Sequence, residues 1–162
     1  MTIAVCPGSY DPVTLGHLDV FRRARAVADQ VVVLVAHNAA KRPLLSVETR
    51  VELIRAAVAD LDGVRVQATS GLLADTLHEL RADLVVKGIR GGADFDAELP
   101  MALMNRHLSG VETVFVPGDP ALAHVASSLV KDVARHGGPI DDLVPPGVAD
   151  AVRAALTAGE TR

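Results

Sequence analysis

The sequence predicts an α/β fold: one domain over residues 1–162, built as a doubly wound, five-stranded parallel sheet with helices on both faces and a helical C-terminus. Three observations predict it. Short β-branched runs alternate with segments whose apolar residues recur at helical spacing. Val31 to Ala36 is apolar at every position, as a strand buried on both faces should be. No internal repeat, low-complexity stretch or long linker breaks the alternation.

Ile3 to Cys6 reads as the first strand, followed by a helix from Gly16 to Asp29 with Leu18, Phe21, Ala24 and Ala28 on one face. After the Val31–Ala36 strand, Ser46 caps a helix running to about Asp60, with Glu48 in its first turn and Val47, Val51, Ile54 and Val58 along one side. Val64 to Gln67 is the third strand, Leu72 to Arg81 the third helix and Leu84 to Val86 the fourth strand. A helix from about Asp94 to Leu108 contains Pro100, where it either bends or begins again. Thr113 to Val116 makes the fifth strand; Ser127 to Arg135 and a piece from beyond Pro146 to Ala158 complete the helices. The strict β-α-β order makes the sheet parallel and Rossmann-like, with ligands expected beyond the C-terminal strand ends where the winding reverses.

Composition narrows the function classes. Hydrophobic residues are 49% of the chain and charged residues 22%, so a packed core is expected. Aromatics are only 2%, with no Trp, which leaves Val, Leu and Ala to build that core. A net charge of -4 with no Lys/Arg run argues against broad nucleic-acid binding. No segment reaches the ~18 apolar residues of a membrane helix. The N-terminus lacks the basic and apolar regions of a secretion signal, so a cytoplasmic location is expected. Cys6, the only cysteine, excludes an intrachain disulfide and reads as a buried strand residue.

Three loops carry the chemistry. In the first, Pro7-Gly8-Ser9 makes a tight turn and Asp11-Pro12 continues it. Thr14 is a good N-cap that places Gly16 and His17 in the first helical turn, where free amides favour an anion such as phosphate. Thr14 and His17, three apart, share a face, so His17 projects into the same site. Neither G-x-G-x-x-G nor a Walker-type G-x-x-x-x-G-K occurs, so this is a different phosphate loop. In the second, Lys87-Gly88-Ile89-Arg90-Gly91-Gly92 sets two cations among glycines at a strand end. Asp94, Asp96 and Glu98 then crowd a helix start, with Glu98 the one placed to reach the site. In the third, Ser127 and Ser128 open a helix and offer hydroxyls and amides to terminal phosphates. Lys41, in the loop after the second strand, adds a cation at the same edge.

The segment P-G-S-Y-D-P-V-T-L-G-H (Pro7 to His17) resembles the T/H-x-G-H loop of the nucleotidylyltransferase superfamily, and S-S-L-V-K (Ser127 to Lys131) resembles its second signature. With Val86 to Glu98, Met104 to Leu108 and Leu129 to Gly138, the chain is similar over nearly its whole length to the bacterial phosphopantetheine adenylyltransferases. The resemblance implies transfer of the adenylyl group of ATP to 4′-phosphopantetheine, giving dephospho-coenzyme A and pyrophosphate with Mg²⁺ held through ATP. It implies ATP contacts by Ser9, Tyr10, His17, Gly88, Ile89, Arg90, Glu98 and the stretch Leu122, Ala123, His124, Val125, Ala126, Ser127 and Ser128. It implies phosphopantetheine contacts by Ser9, Lys41, Leu73 and Lys87, and catalytic roles for His17, Lys41 and Arg90, with His17 stabilising the transition state. A homohexamer inhibited by coenzyme A is implied as well. The chain departs from the family pattern at Ala97, His124 and Ala126 and, relative to some members, at Lys87.

The residue types suit such a transfer. The attacking phosphate oxygen is already anionic, so alignment and charge neutralisation are required rather than a general base. No nucleophile–base–orienter set occurs in the sequence, and the protonation state of His17 is open at this level. A nucleotidylyltransferase for a different phosphorylated acceptor and a non-catalytic adenine-nucleotide sensor are the competing readings.

Overall fold

A computed structural model describes residues 1–36 and 42–160; Lys41 lies outside them. Five parallel strands, β1 (Ile3–Gly8), β2 (Gln30–Ala36), β3 (Val64–Thr69), β4 (Leu84–Ile89) and β5 (Glu112–Pro117), form one sheet in the order β3-β2-β1-β4-β5. Between them run α1 (Leu15–Val27), α2 (Val47–Ala57), α3 (Leu73–Leu80) and α4 (Gly92–Ser109), and α5 (Ser127–Arg135) and α6 (Val148–Glu160) close the chain. The doubly wound, five-stranded fold expected from the alternation is therefore the one observed.

Strand alternation sorts the core. Ala4, Cys6, Val31, Val33 and Val35 face one side, where Phe21 of α1, Ile54 of α2, Val130 of α5 and Val152 of α6 meet them. Val5, Val32 and Leu34 face the other, against Leu77 of α3. β2 is buried on both faces, which accounts for its unbroken apolar run. Cys6 is buried in the first cluster, and burial pushes its thiol up to about 12, so it is inert packing.

β3 and β4 run further than the sequence predicts, to Thr69 and Ile89, and α2 ends earlier, at Ala57. β4 extends through Lys87, Gly88 and Ile89, which read as loop from their composition, because these residues pair with Phe115, Val116 and Pro117 of β5. The cationic segment is thus partly strand, and its backbone is fixed by the sheet. The helix containing Pro100 neither ends nor restarts there; α4 runs from Gly92 to Ser109 through it. None of the residues of α4 is fully buried, and Met101, Leu103, Met104 and Leu108 are exposed.

The sheet order reverses between β1 and β4. These strands pair only at Ala4–Leu84 and Val5–Val85, yet both run on to Gly8 and Ile89. They part beyond Val5 and Val85, and the crevice opens at their C-terminal ends, as expected for a switch point.

Candidate active site

A cavity of about 560 Å³ fills this crevice. The start of α1 forms one wall. Thr14, buried, is its N-cap: the hydroxyl accepts from the His17 N–H at 3.4 Å, and the Thr14 N–H donates to His17 Nδ1 at 3.0 Å. This reciprocal capping box uses a histidine where Glu or Gln is usual. Because Nδ1 accepts from a backbone N–H, the neutral ring carries its proton on Nε2, the opposite edge. The Tyr10 ring stands edge-on to the imidazole at 4.9 Å and to Phe21 at 5.4 Å, and its hydroxyl donates to Cys6 O at 2.8 Å. Burial, and secondarily the charges of Arg90 and Lys87, push the His17 ring down to about 4. His17 is therefore a neutral imidazole in one tautomer, which answers a point the sequence left open.

Tyr10 also explains Gly8. A Cβ there would lie 2.7 Å from the Tyr10 ring, so the glycine makes room for an aromatic as well as for a ligand. Tyr10 itself sits at φ +50°, a left-handed conformation uncommon for an aromatic residue, at the point where the chain turns back toward α1.

The opposite wall comes from β4 and α4. Lys87 Nζ lies 3.0 Å from Glu98 Oε2. Arg90 donates through Nε and Nη2 to the two carboxylate oxygens of Asp94, at 2.9 and 3.0 Å. Gly88 permits α1 to approach β4, since a Cβ would sit 2.3 Å from Val20 Cγ2. The third wall is the start of α5. Its N-cap, Ala126, offers no side-chain acceptor, so the first-turn amides are uncapped and face the cavity's anion-favouring end. Ser127 spends its hydroxyl on Pro12 O at 2.8 Å, which leaves Ser128 as the hydroxyl of the pair not so used.

Of the residues singled out from the sequence, Tyr10, His17, Lys87, Gly88, Ile89, Arg90, Glu98, Leu122, Val125, Ala126, Ser127 and Ser128 line this one cavity. Ser9, Ala123 and His124 stand beside it without lining it, and Ser9 and His124 are exposed. Leu73 opens α3, half-buried against the second core cluster, and does not line it.

The sequence reading missed what ties the walls together. Buried Asp11 accepts from the Leu44 and Leu45 amides at 2.9 and 2.8 Å and from Lys131 Nζ at 3.0 Å. Burial pushes its carboxyl up, but those amides and Lys131 outweigh it and hold it below its usual range. Arg50, also buried, donates to Ser9 O at 2.7 Å, to Ala36 O at 3.4 Å and to Leu45 O at 3.2 Å. The available signal was Arg50 falling on the buried stripe of α2, between Val47 and Ile54 at helical spacing. Among the described residues no group of three or more His, Cys, Asp or Glu is arranged to hold a metal ion.

Comparison with known proteins agrees with this architecture. Residues 5–133 match the cytidylyltransferase-like family. A phosphopantetheine adenylyltransferase of Bifidobacterium longum is 53% identical over 158 residues, covering 94% of this chain and 95% of its own. One from a Nocardioides species is 50% identical, covering 98% and 100%, and one from Streptomyces coelicolor is 48% identical, covering 96% and 98%. Among solved structures, a Vibrio parahaemolyticus protein described as a candidate nicotinate-nucleotide adenylyltransferase superimposes with a TM-score of 0.70 over 96% of this chain and 95% of its own at 19% identity, a likeness of fold alone. The chain belongs to the cytidylyltransferase-like family and, within it, to the phosphopantetheine adenylyltransferases.

Proposed function

We propose that the cavity between β1 and β4 is where the chain transfers the adenylyl group of ATP to 4′-phosphopantetheine, releasing pyrophosphate and forming dephospho-coenzyme A. The observation that carries the choice of acceptor is the near-full-length likeness to chains bearing that name. The geometry supports the way the transfer would run. A phosphate oxygen of the acceptor bonds to the α-phosphorus of ATP while the bond from that phosphorus to the bridging oxygen of the leaving pyrophosphate breaks. No proton needs to be removed from the nucleophile, and the cavity offers donors instead of a base.

His17, neutral and with Nε2–H as its free edge, donates to a non-bridging oxygen of the α-phosphate as charge grows there. Arg90 and the uncapped amides of α5 meet the β- and γ-phosphates, and Lys87 meets the acceptor phosphate. Lys41 is proposed to do the same from its loop. Mg²⁺ would ride on ATP oxygens and neutralise charge there. The exposed apolar residues of α4 support self-association, and a homohexamer is the expected assembly. Coenzyme A, which shares most of its structure with the product, is expected to compete for the same cavity. No helix among the described residues is long and apolar enough to cross a membrane, and a cytoplasmic location is part of the proposal.

The test is pyrophosphate release with ATP, Mg²⁺ and a panel of phosphorylated acceptors. Phosphopantetheine should be the preferred acceptor, and no release with it would defeat the assignment. His17→Ala should lower kcat by about 10²–10³, the scale of a lost transition-state donor, while changing ATP affinity only a few-fold. Equal losses in both would remove the transition-state role.

A further inference from the structure

Asp94 holds Arg90 by one particular edge. Its Oδ2 accepts from the Arg90 backbone N–H at 2.9 Å and from Nε–H at 2.9 Å, and its Oδ1 accepts from Nη2–H at 3.0 Å. Nη1 donates to Val125 O at 3.4 Å, across the mouth of the cavity. A guanidinium carries five N–H bonds in a fixed plane. Three are spent here, so one remains on each terminal nitrogen, and the one on Nη2 lies at the end edge of the fork. Arg90 and Asp94 line the cavity, and with the side edge occupied an anion there would meet the terminal nitrogens of Arg90.

We propose that Asp94 is a positioning residue for adenylyl transfer, presetting Arg90 so that its end edge faces the departing pyrophosphate. The inference rests on the reading above for the identity of that anion. An Arg side chain this exposed would otherwise sample many rotamers and be ordered only as the phosphates bind. Clamped, it is ordered beforehand, and β4, whose end carries it, is fixed by its pairing with β5. The carboxylate also makes the pair electrically neutral, so Asp94 exchanges ground-state attraction for orientation. Its removal should therefore slow turnover more than it weakens ATP binding.

The plainer account is that Asp94, at the third position of α4, serves only as an acidic residue complementing the helix dipole beneath an N-cap, Gly91, that has no side chain. That role needs the Asp94 charge in the first turn but not the guanidinium contacts. Asp94→Asn removes the charge on either account, so the roles separate by background: a dipole role costs the same with or without the Arg90 guanidinium, and a positioning role costs only in its presence.

The experiment is a double-mutant cycle of Asp94→Asn and Arg90→Ala, read as kcat and ATP affinity. Thermal unfolding is followed in parallel, and Asp94→Ser serves as a second variant that keeps a backbone acceptor. In the Arg90 background, Asp94→Asn and Asp94→Ser should each lower kcat about tenfold, within the range misplacing a catalytic contact produces, with ATP affinity changed less than about threefold. Combined with Arg90→Ala, Asp94→Asn should lower kcat by less than a further twofold. The same loss in both backgrounds, or a kcat within twofold of wild type in the single variants, would overturn the proposal. If wild type used a different phosphorylated acceptor, the acceptor assignment would fall and the cycle, run with that acceptor, would still decide the role of Asp94. If no acceptor released pyrophosphate, both would fall.

Discussion

The depressed His17 makes a prediction that does not depend on any substrate. In the unfolded chain a histidine titrates near 6.5; in the folded protein His17 titrates near 4. Between those values the unfolded state binds a proton that the folded state does not, so stability rises with pH across this window and falls as the solution is acidified. At pH 7 the difference is small. At pH 5 the unfolded side chain is almost fully protonated and the folded one about one-tenth so, which integrates to a loss of about 2 kcal/mol from pH 7. Because the ring borders the cavity and is only partly buried, about 1–2 kcal/mol of this should be seen. His17→Gln is the right comparison: Gln at this helix position can still close the capping box with Thr14 and has no proton to bind. Thermal unfolding of both proteins at pH 7 and pH 5 should show wild type losing about 3–6 °C more than the variant, on the scale for a domain of this size. All other titrating groups are common to the two proteins and cancel. Equal losses on acidification would mean that His17 is not held neutral by its surroundings, and the donor role would lose its basis.

Two further substitutions test the frame that carries the site. Asp11→Ala leaves the Leu44 and Leu45 amides and the Lys131 ammonium without their acceptor, and should cost about 3 kcal/mol in urea unfolding; a loss under 1 kcal/mol would mean those contacts are replaced by water. Gly88→Ala drives a Cβ into Val20, whose branched side chain has little rotamer freedom in a helix, and should cost about 1–3 kcal/mol. Adding Val20→Ala should recover more than half of that loss, and no recovery would place the strain elsewhere.

Much of the fold was legible because its signals are periodic. The unbroken apolar run of β2 and the caps at Thr14 and Ser46 each follow from local rules, and each appears in the structure. Lys87-Gly88-Ile89 did not read as strand because a lysine and a glycine carry no strand signature; what makes them strand is pairing with Phe115 to Pro117, a long-range fact. Pro100 sits inside α4, so the helix does not begin again there, and nothing local decided between the two alternatives the sequence left open. At the site, the three converging loops could be read because glycines, serines and cations cluster beside strand ends. The partners could not. Nothing local in Asp11 says that its carboxylate will meet Lys131, 120 residues away, or in Arg50 that its donors will go to Ser9 and Ala36.

The same partners reconcile a chain of net charge -4 with a site for two polyanions. The cations that line the cavity are few, and each described one is answered by a carboxylate of α4: Lys87 by Glu98, Arg90 by Asp94. These pairs cost some of the attraction that bare cations would exert on phosphate, but they hold each cation in place. The positive charges have a second effect. Lys87 and Arg90 act with burial to keep a proton off His17, while the Thr14 amide assigns the proton the ring does hold to Nε2. On the proposed function, incoming phosphates would meet ordered cations and a neutral donor of fixed orientation, none of which must first change its protonation state. A bare cationic pocket would attract ATP more strongly but would have to organise around it. If the proposed transfer runs in this cavity, such an arrangement would place more of its effect in the transition state than in the bound ground state, which is where turnover is gained.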